Sequence, residues 1–528
     1  MSRALVGLVS LSLLALGLAV LGTGCAAEID LEDEVGQDGR EIVNGTVTDE
    51  FPATGMLILG DSPDEGMIGC SVTLIGCDTV LTAAHCVCAG FGADCPNGAP
   101  LEPLHVFFPS AGFFPVASVA THPSYNEYIE HDAAVLRLAT PVTGVDPVPV
   151  ASTPITPGTP AIIVGYGRTG GEVYEYGIKR QGDVVTTACD EELGVNKLCW
   201  RFDGSAEASA SNVCHGDSGG STYVVRDGRV EIVGVHSTTN QMSCLEAAGT
   251  YPSADTGVFD HRDFISSAAA GGLAQDACGD LPQVGGAGAQ LIADSGAIDV
   301  GQAAELTVEV PRGTAELRVA LNSTDGAGAN LDLYVRGGEP ASAQQHDCSA
   351  AGPSAHGFCT LRSPAPGTWY IQVVADPAAT SRGGDYQVTA TVLSGAPLGA
   401  DDTYDVAAGD TTAVAAGDGV LANDQGTARG PLSAAVDTPP AHGQLELAAD
   451  GSFQYTPEPG FTGTDTFTYR ASDGAYQGQA VVTLRIGAGP GGGTSLTGGC
   501  AAGGGGATGG GALLLLFAAA LLGRRRAS

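Results

Sequence analysis

A histidine, an aspartate and a serine follow one another along this chain in an order suited to nucleophilic catalysis. Ser218 lies in Gly216-Asp217-Ser218-Gly219-Gly220, where glycines permit a tight turn and the close approach of a substrate carbonyl. His85 follows segment 81–84, and Asp132 leads an apolar run. A serine hydroxyl is a weak nucleophile until a base takes its proton. The order His, Asp, Ser predicts that His85 is the base, that Asp132 orients it and that Ser218 attacks a carbonyl.

Each of these residues also has an ordinary structural interpretation. His85 fits a core position beside a disulfide, Asp132 fits a turn before a strand, and Ser218 fits any glycine turn. The three together, in this order and with cysteines around them, favour catalysis. A catalytically silent binding domain on a surface adhesin is the alternative, and an esterase activity beside an adhesive role is a third interpretation.

The elements that position these side chains are predicted to be strands. Segments 160–165 and 230–235 are short apolar or alternating runs typical of β-structure. Only 15% of the residues are charged and 79 are glycine, a composition that favours β-rich modules with many turns. A length of 528 residues suggests three or four domains. We therefore expect an all-β protein.

Three further motifs flank the candidate catalytic residues: Ile42-Val43-Asn44-Gly45, a Cys70/Cys86 pair bracketing His85, and His122-Pro123-Ser124-Tyr125-Asn126. With the glycine-flanked serine they resemble the trypsin/chymotrypsin family of serine peptidases over roughly residues 42 to 270. The resemblance implies a double antiparallel β-barrel acting on a protein or peptide substrate, with no cofactor and no metal. The other histidines show no metal-ligand spacing.

The resemblance also assigns the substrate-facing groups. The backbone amides of Gly216 and Ser218 would form the oxyanion hole. Asn212 takes the position at the base of the primary specificity pocket, with Thr239 and Gly257 as its walls. Because asparagine carries no charge, we expect no strong preference for basic substrate side chains.

Because members of that family are made as zymogens, the resemblance implies that a freed Ile42 amine pairs with the Asp217 carboxylate. Such a buried ion pair requires both partners. Here the sequence departs from the usual pattern, because Glu41 separates Arg40 from Ile42. Cleavage after Arg40 would leave the amine one residue out of place, so cleavage after Glu41, or trimming, is needed. The identity of the activating protease is therefore left open.

The 14 cysteines favour an oxidising compartment, since setting aside Cys25 and Cys500 leaves an even number that can pair fully. Proximity in a later module predicts the pair Cys348–Cys359. The family resemblance implies three pairs: Cys70–Cys86, Cys189–Cys199 and Cys214–Cys244. Four cysteines are left, with three connectivities open: Cys77, Cys88, Cys95 and Cys278. A zinc site at Cys86, Cys88 and Cys95 is the rival, disfavoured because Cys86 is already paired and export favours disulfides.

Two β-modules follow the peptidase-like segment. Alternating runs at 305–310 and 367–373 resemble the bacterial pre-peptidase C-terminal type of β-sandwich. Runs around 443–447 and 463–469 resemble a cadherin-like or immunoglobulin-like repeat, and Asp450-Gly451 predicts a hairpin. Three aspartates there are interpreted as turn residues rather than calcium ligands: Asp401, Asp402 and Asp424.

Both ends of the chain have the composition of targeting segments. Residues 1–27 are typical of an export signal, with Cys25 as a candidate lipoprotein site and cleavage after Ala27 as the alternative. The tail combines a glycine-rich run, Cys500, a short apolar stretch and three arginines, and is similar to myxobacterial C-terminal sorting tails; an unprocessed weak membrane anchor is the alternative. The predicted organisation is an export signal (1–27), a propeptide (28–41), a peptidase domain (42–272), a linker (273–289), a first β-sandwich (290–394), a second β-sandwich (398–487) and an anchor tail (488–528).

The formal net charge of −37 excludes nucleic acid as a ready partner, because an anionic surface repels phosphates. The sequence thus predicts an exported serine endopeptidase at the cell surface or outside the cell. Its expected partners are a protein or peptide substrate, an activating protease and the cell envelope, which it would reach through its C-terminal tail.

Overall fold

The computed structural model describes residues 42–62, 66–89, 95–126, 130–168, 176–190, 196–202, 211–238, 253–273, 278–324, 330–352, 356–375, 383–427 and 429–487. The predicted all-β class is confirmed, with two barrels followed by β-sandwich sheets. The export signal, the propeptide and the C-terminal tail lie outside the described residues, as do Thr239, Cys244, Cys25 and Cys500.

The first barrel closes because its end strands, β7 and β8, pair with each other. Around the ring the order is β7-β6-β2-β3-β4-β8, with β5 added at an edge. Inward-facing side chains such as Val72, Val80 and Leu136 are fully buried and fill the interior. The strands are β1 (Thr46–Val47), β2 (Thr54–Leu59), β3 (Met67–Gly76), β4 (Thr79–Thr82), β5 (Asn97–Gly98), β6 (Leu104–Phe108), β7 (Gly112–Thr121) and β8 (Ala134–Leu138).

The second barrel closes in the same way, through pairing of β9 with β10. Its ring order is β9-β10-β11-β14-β13-β12, and β1 lies at an edge against β10. Helix α1 (Val258–Ala268) follows the last strand and buries Val258 and Ile265. The strands are β9 (Pro160–Gly165), β10 (Arg180–Thr187), β11 (Lys197–Trp200), β12 (Ser221–Arg226), β13 (Arg229–Thr238) and β14 (Ser253–Gly257).

Two sandwiches complete the described chain. The first has sheets of order β15-β22-β17-β20 and β16-β21-β18-β19, and the second has sheets of order β23-β29-β28-β25 and β24-β27-β26. Each has its own apolar core. The strands are β15 (Ala289–Ile298), β16 (Ala303–Val310), β17 (Thr314–Ser323), β18 (Leu331–Gly337), β19 (Cys348–Ala350), β20 (His356–Arg362), β21 (Gly367–Ala375), β22 (Gly384–Ser394), β23 (Asp402–Ala407), β24 (Thr412–Val414), β25 (Ser433–Thr438), β26 (Gly443–Leu447), β27 (Phe453–Pro457), β28 (Gly463–Ser472) and β29 (Gln477–Gly487).

A buried ion pair on β17 links the three modules. Arg318 donates to Glu316 at 2.7 Å, and both side chains are only 5% exposed. The Arg318 guanidinium also donates to the carbonyl of Thr143 in the peptidase segment at 2.7 Å. Tyr476 of the second sandwich donates to Glu316 at 2.8 Å. The first sandwich is therefore packed against the peptidase rather than tethered loosely to it.

Disulfides fix several loops. Cys214 is disulfide-bonded, while its expected partner Cys244 lies outside the described residues. The four cysteines that the sequence left open pair in one of the three possible ways, as Cys77–Cys278 and Cys88–Cys95. The other described bridges are Cys70–Cys86, Cys189–Cys199 and Cys348–Cys359. Within the described part of the chain, no helix is long and apolar enough to cross a membrane.

Candidate active site

Strand pairing in the first barrel brings His85 to Asp132. His85 lies in a 3₁₀ turn (Ala84–Cys86) just after β4, and Asp132 lies just before β8. Thr82 of β4 pairs with Ala134 of β8, so the residues beyond these strand ends meet. The distance from His85 Nδ1 to Asp132 Oδ2 is 2.7 Å, and the His85 amide donates to Asp132 Oδ1 at 2.9 Å. The carboxylate thereby holds both the ring and the backbone of His85.

Asp132 is completely buried and is held from two sides. Ser237 of β13 donates its hydroxyl to Oδ2 at 2.7 Å. Burial alone would raise the pKa of Asp132, but the His85 ring and the hydrogen bonds from His85 and Ser237 outweigh burial and lower it. Asp132 is therefore an anion at neutral pH. Ser237 was not predicted, because it has no distinguishing neighbours in the sequence.

Ser218 lies on the turn where the two barrels meet. Gly216 and Gly219 have φ of +94° and +78°, the left-handed region that favours glycine. A Cβ on Gly219 would come within 3.1 Å of the Ala83 amide nitrogen, two residues before His85. The Ser218 carbonyl accepts from the Ser71 amide at 2.8 Å. Ser218 and His85 are both half-buried and thus reachable from solvent.

Asp217 faces the interior beside them. Its carboxylate accepts from the amides of Gly167 and Cys214, both at 2.8 Å. Burial raises the pKa of Asp217 to about 6, despite these hydrogen bonds and the nearby His236 and Arg180 charges. An ionised Asp217 is therefore costly unless a full positive charge joins it.

Ile42 and Val43 are buried next to the segment that leads to Asp217. Both are 1% exposed, and Val43 forms a β-bridge with Asn212. A Cβ on Gly182 would meet both Ile42 and Ser211, so the Ile42 side chain lies near Ser211. In the uncut chain the Ile42 nitrogen is a peptide nitrogen and carries no charge.

The predicted specificity residues are brought together only in part. The Asn212 side-chain oxygen accepts from the Ser253 hydroxyl at 2.5 Å at the start of β14. Gly257 ends the same strand, about 13 Å from Ser253 in extended backbone, and its amide donates to the Asn196 carbonyl. Ser253, which the sequence did not single out, therefore bonds directly to the Asn212 side chain, while the role of Gly257 as a pocket wall stays a prediction.

A second histidine–aspartate pair, also unpredicted, lies beneath the glycine turn. His236 Nδ1 is 3.0 Å from Asp255 Oδ1, and the Gly219 amide donates to the His236 carbonyl at 2.8 Å. Thr222 donates to the other Asp255 oxygen at 2.5 Å. The ring of His236 and the carboxylate of Asp255 are only 1% and 0% exposed, so the pair supports the turn but cannot meet a substrate.

Comparisons with known proteins agree with this geometry. Residues 42–265 match the trypsin family model, residues 306–375 the bacterial pre-peptidase C-terminal domain and residues 394–488 the bacterial cadherin-like domain. All three module resemblances are thereby confirmed.

Curated proteins also match part of this chain. CLIP domain-containing serine protease B10 of Anopheles gambiae is 30% identical over 42% of this chain and 67% of its own length. Brachyurin of Leptuca pugilator is 30% identical over 34% of this chain and 80% of its own. Vitamin K-dependent protein C of Rattus norvegicus is 26% identical, and the match spans 51% of it.

Proposed function

Since this chain belongs to the trypsin family of serine endopeptidases, we propose that it cleaves peptide bonds with His85, Asp132 and Ser218 as its catalytic triad. The observation that carries the proposal is the 2.7 Å contact between His85 Nδ1 and a fully buried Asp132. This contact keeps the ring proton on Nδ1 and leaves Nε2 free to act as a base.

The proposed reaction proceeds through proton transfers between Ser218, His85 and the leaving amine. Ser218 Oγ bonds to the substrate carbonyl carbon while its proton passes to His85 Nε2. The Gly216 and Ser218 amides are proposed to stabilise the resulting oxyanion. The C–N bond breaks as His85 returns the proton to the leaving amine, which leaves an acyl-enzyme. Water, deprotonated by His85, hydrolyses this ester and regenerates Ser218.

Activation by cleavage before Ile42 is part of the proposal. The buried Asp217 carboxyl, whose pKa is raised to about 6, is unfavourable as an anion in the uncut chain. A new Ile42 ammonium would supply the missing positive charge. The raised pKa means that Asp217 stabilises the uncut fold fully below about pH 4 and loses this contribution as the pH rises through about 6.

This pH dependence distinguishes the uncut from the cut chain. We expect the unfolding free energy of the uncut chain to fall between pH 4 and pH 7, and that of the cut chain to fall less. Asp217→Asn, which cannot ionise, should remove the difference. Equal pH profiles for both forms would contradict the Ile42–Asp217 pairing.

Substrate choice and location are proposed from the sequence and its relatives. Asn212 carries no charge, so the pocket is expected not to select lysine or arginine. Export through residues 1–27 and attachment to the cell envelope through the tail around Cys500 would place the peptidase at the cell surface, where an activating protease acts. Cys25 is the alternative lipid site, but cleavage before Ile42 would release the peptidase from it.

The proposed function is tested by labelling the exported protein with a fluorophosphonate probe and sequencing the amino terminus of the labelled band. We expect labelling of a chain that starts at Ile42, its loss in Ser218→Ala and its retention in Ser295→Ala, a matched change at an exposed serine. A chain that starts at Ile42 and stays unlabelled would contradict the proposal and favour a silent binding domain.

A further inference from the structure

Three histidines far apart in the sequence meet beside the strand end that carries Asp132. His122 follows β7, His131 directly precedes Asp132, and His261 lies on α1. His131 Nδ1 is 3.0 Å from His261 Nε2, and the His122 ring stacks on His131 with 4.6 Å between centroids. One nitrogen from each ring lies within 4.8 Å of the other two.

The hydrogen bonding of His261 prepares it as a ligand. Its Nδ1 donates to the Gly257 carbonyl at 2.7 Å, which keeps the proton on Nδ1 and leaves the Nε2 lone pair directed at His131. This backbone contact is the outer-shell arrangement that orients metal-binding histidines. His261 is also only 3% exposed, so packing fixes the orientation of its ring.

We propose that His122, His131 and His261 form a binding site for a divalent transition metal of the zinc class. Imidazole nitrogens at 2.0–2.1 Å from a tetrahedral metal are separated by about 3.3 Å. The His131–His261 separation is already close to this value. The metal displaces the hydrogen bond between these rings, and the half-buried faces of His122 and His131 leave a fourth position for water.

His122 needs the largest adjustment. Its Nδ1 accepts from the exposed Ser124 amide at 3.2 Å, a contact that water replaces when the ring turns toward the metal. The other metal-like cluster in the described chain combines His85 with Cys70 and Cys86, and it is excluded because these cysteines are bonded to each other. Zinc binding at His85 and Asp132 is the competing site that the experiment must separate.

A metal here ties the two barrels together at the triad. His122 and His131 belong to loops of the first barrel, whereas His261 belongs to α1 after the second. His131 has φ of +54°, an uncommon value for a residue other than glycine, and its carbonyl accepts from the Ala133 amide at 2.8 Å. Clamping His131 therefore restrains the turn that presents Asp132, and binding to the folded state alone raises the unfolding temperature.

The test titrates Zn²⁺ into the full-length, chelator-treated protein by calorimetry, with Co²⁺ absorption as a second readout of coordination. We expect one site per chain, a raised unfolding temperature, and an affinity that falls by about tenfold or more in His122→Gln and His261→Gln. His346→Gln, an exposed histidine of the first sandwich, is the matched control and should leave the affinity unchanged.

Two outcomes would overturn the proposal. One is the absence of saturable Zn²⁺ binding by a protein that circular dichroism shows to be folded. The other is binding that is lost in His85→Ala but retained in His122→Gln, which assigns the metal to the triad instead. The conclusion rests on His122→Gln if the buried change at His261 prevents folding. None of these readouts requires peptidase activity, so the proposed function is tested separately.

Discussion

Two histidine–aspartate pairs lie on either side of the glycine turn that carries Ser218, and they differ mainly in access to solvent. His85 and Asp132 are 2.7 Å apart with side-chain exposures of 21% and 0%, whereas His236 and Asp255 are 3.0 Å apart with exposures of 1% and 0%. Both combine an imidazole with a buried carboxylate. Only the first leaves one ring edge open to a substrate, so access rather than pairing separates the proposed catalytic pair from the structural one.

Each of the two carboxylates is also held by a neighbouring hydroxyl group. Asp132 receives a hydroxyl from Ser237, and Asp255 receives one from Thr222. His236 and Ser237 are neighbours on β13, so a single strand supports both carboxylates from opposite sides. Burial would lower the pKa of His236, but Asp255 outweighs burial and raises it. His236 therefore binds a proton more tightly in the folded state than a free imidazole does.

The largest expected effect is a loss of activity when the first pair is changed. His85→Ala should lower kcat by about 10⁴-fold or more, because the serine loses its base, while the unfolding free energy hardly changes. Peptide hydrolysis rates and urea unfolding curves measure both quantities. His346→Ala is the control on an exposed histidine. Near-normal turnover in His85→Ala would contradict the proposed role of His85 as the base.

The second expected effect is a loss of stability when the buried pair is changed. Asp255→Asn leaves the buried His236 without its carboxylate and should lower the unfolding free energy by about 3–5 kcal/mol. Asp263→Asn is a matched change at a carboxylate that is 94% exposed and should be neutral. Chemical denaturation of the two variants measures their unfolding free energies. Equal stability of both variants would show that the second pair contributes nothing to the fold.

The third effect tests how strongly β13 supports Asp132, the proposed catalytic carboxylate. Ser237→Ala removes a hydroxyl that donates to Asp132 at 2.7 Å. A hydrogen bond to a charged group contributes about 1.5–3 kcal/mol, which corresponds to a loss in kcat of about 10- to 100-fold. KM should stay unchanged, and Ser237→Thr should restore turnover. A change confined to KM would instead place Ser237 in substrate binding.

Sequence reasoning found the first pair and missed the second for a physical reason. The chemistry around Ser218 requires glycines next to it, so the residue types are recognisable within five consecutive positions. His236 and Asp255 carry no such local constraint, because their contact arises from the pairing of β13 with β14. The same holds for His122, His131 and His261, which only the closed barrels and α1 bring together.

Fold prediction had similar limits. Alternating runs were enough to predict strands and modules, because a half-buried strand imposes a period of two. Cysteine pairing was predictable only where a motif or proximity applied, and Cys77–Cys278 spans 201 residues. Gly257 as a pocket wall stays a prediction, whereas the hydrogen bond from Ser253, four residues earlier on β14, to Asn212 could not be predicted from the sequence.

The smallest expected effect is a pH dependence that belongs to the structural pair alone. Because the folded pKa of His236 is raised above 6.5, its contribution to stability is complete below that pH and is lost as the pH rises through the folded value. The unfolding free energy should therefore decline above about pH 6.5, a window separate from the lower one of Asp217.

His236→Gln keeps a polar side chain of similar size that does not titrate, so it should be less stable but lack this decline. Unfolding curves from pH 6 to pH 9 measure the slope, and the uncut Ser218→Ala chain avoids self-digestion during the measurement. A slope that survives in His236→Gln would assign the dependence to another group and show that His236 does not change its charge between pH 6 and pH 9. In that case Asp255 and Thr222 would support the glycine turn by hydrogen bonding alone, and access to solvent would remain the difference between the two pairs.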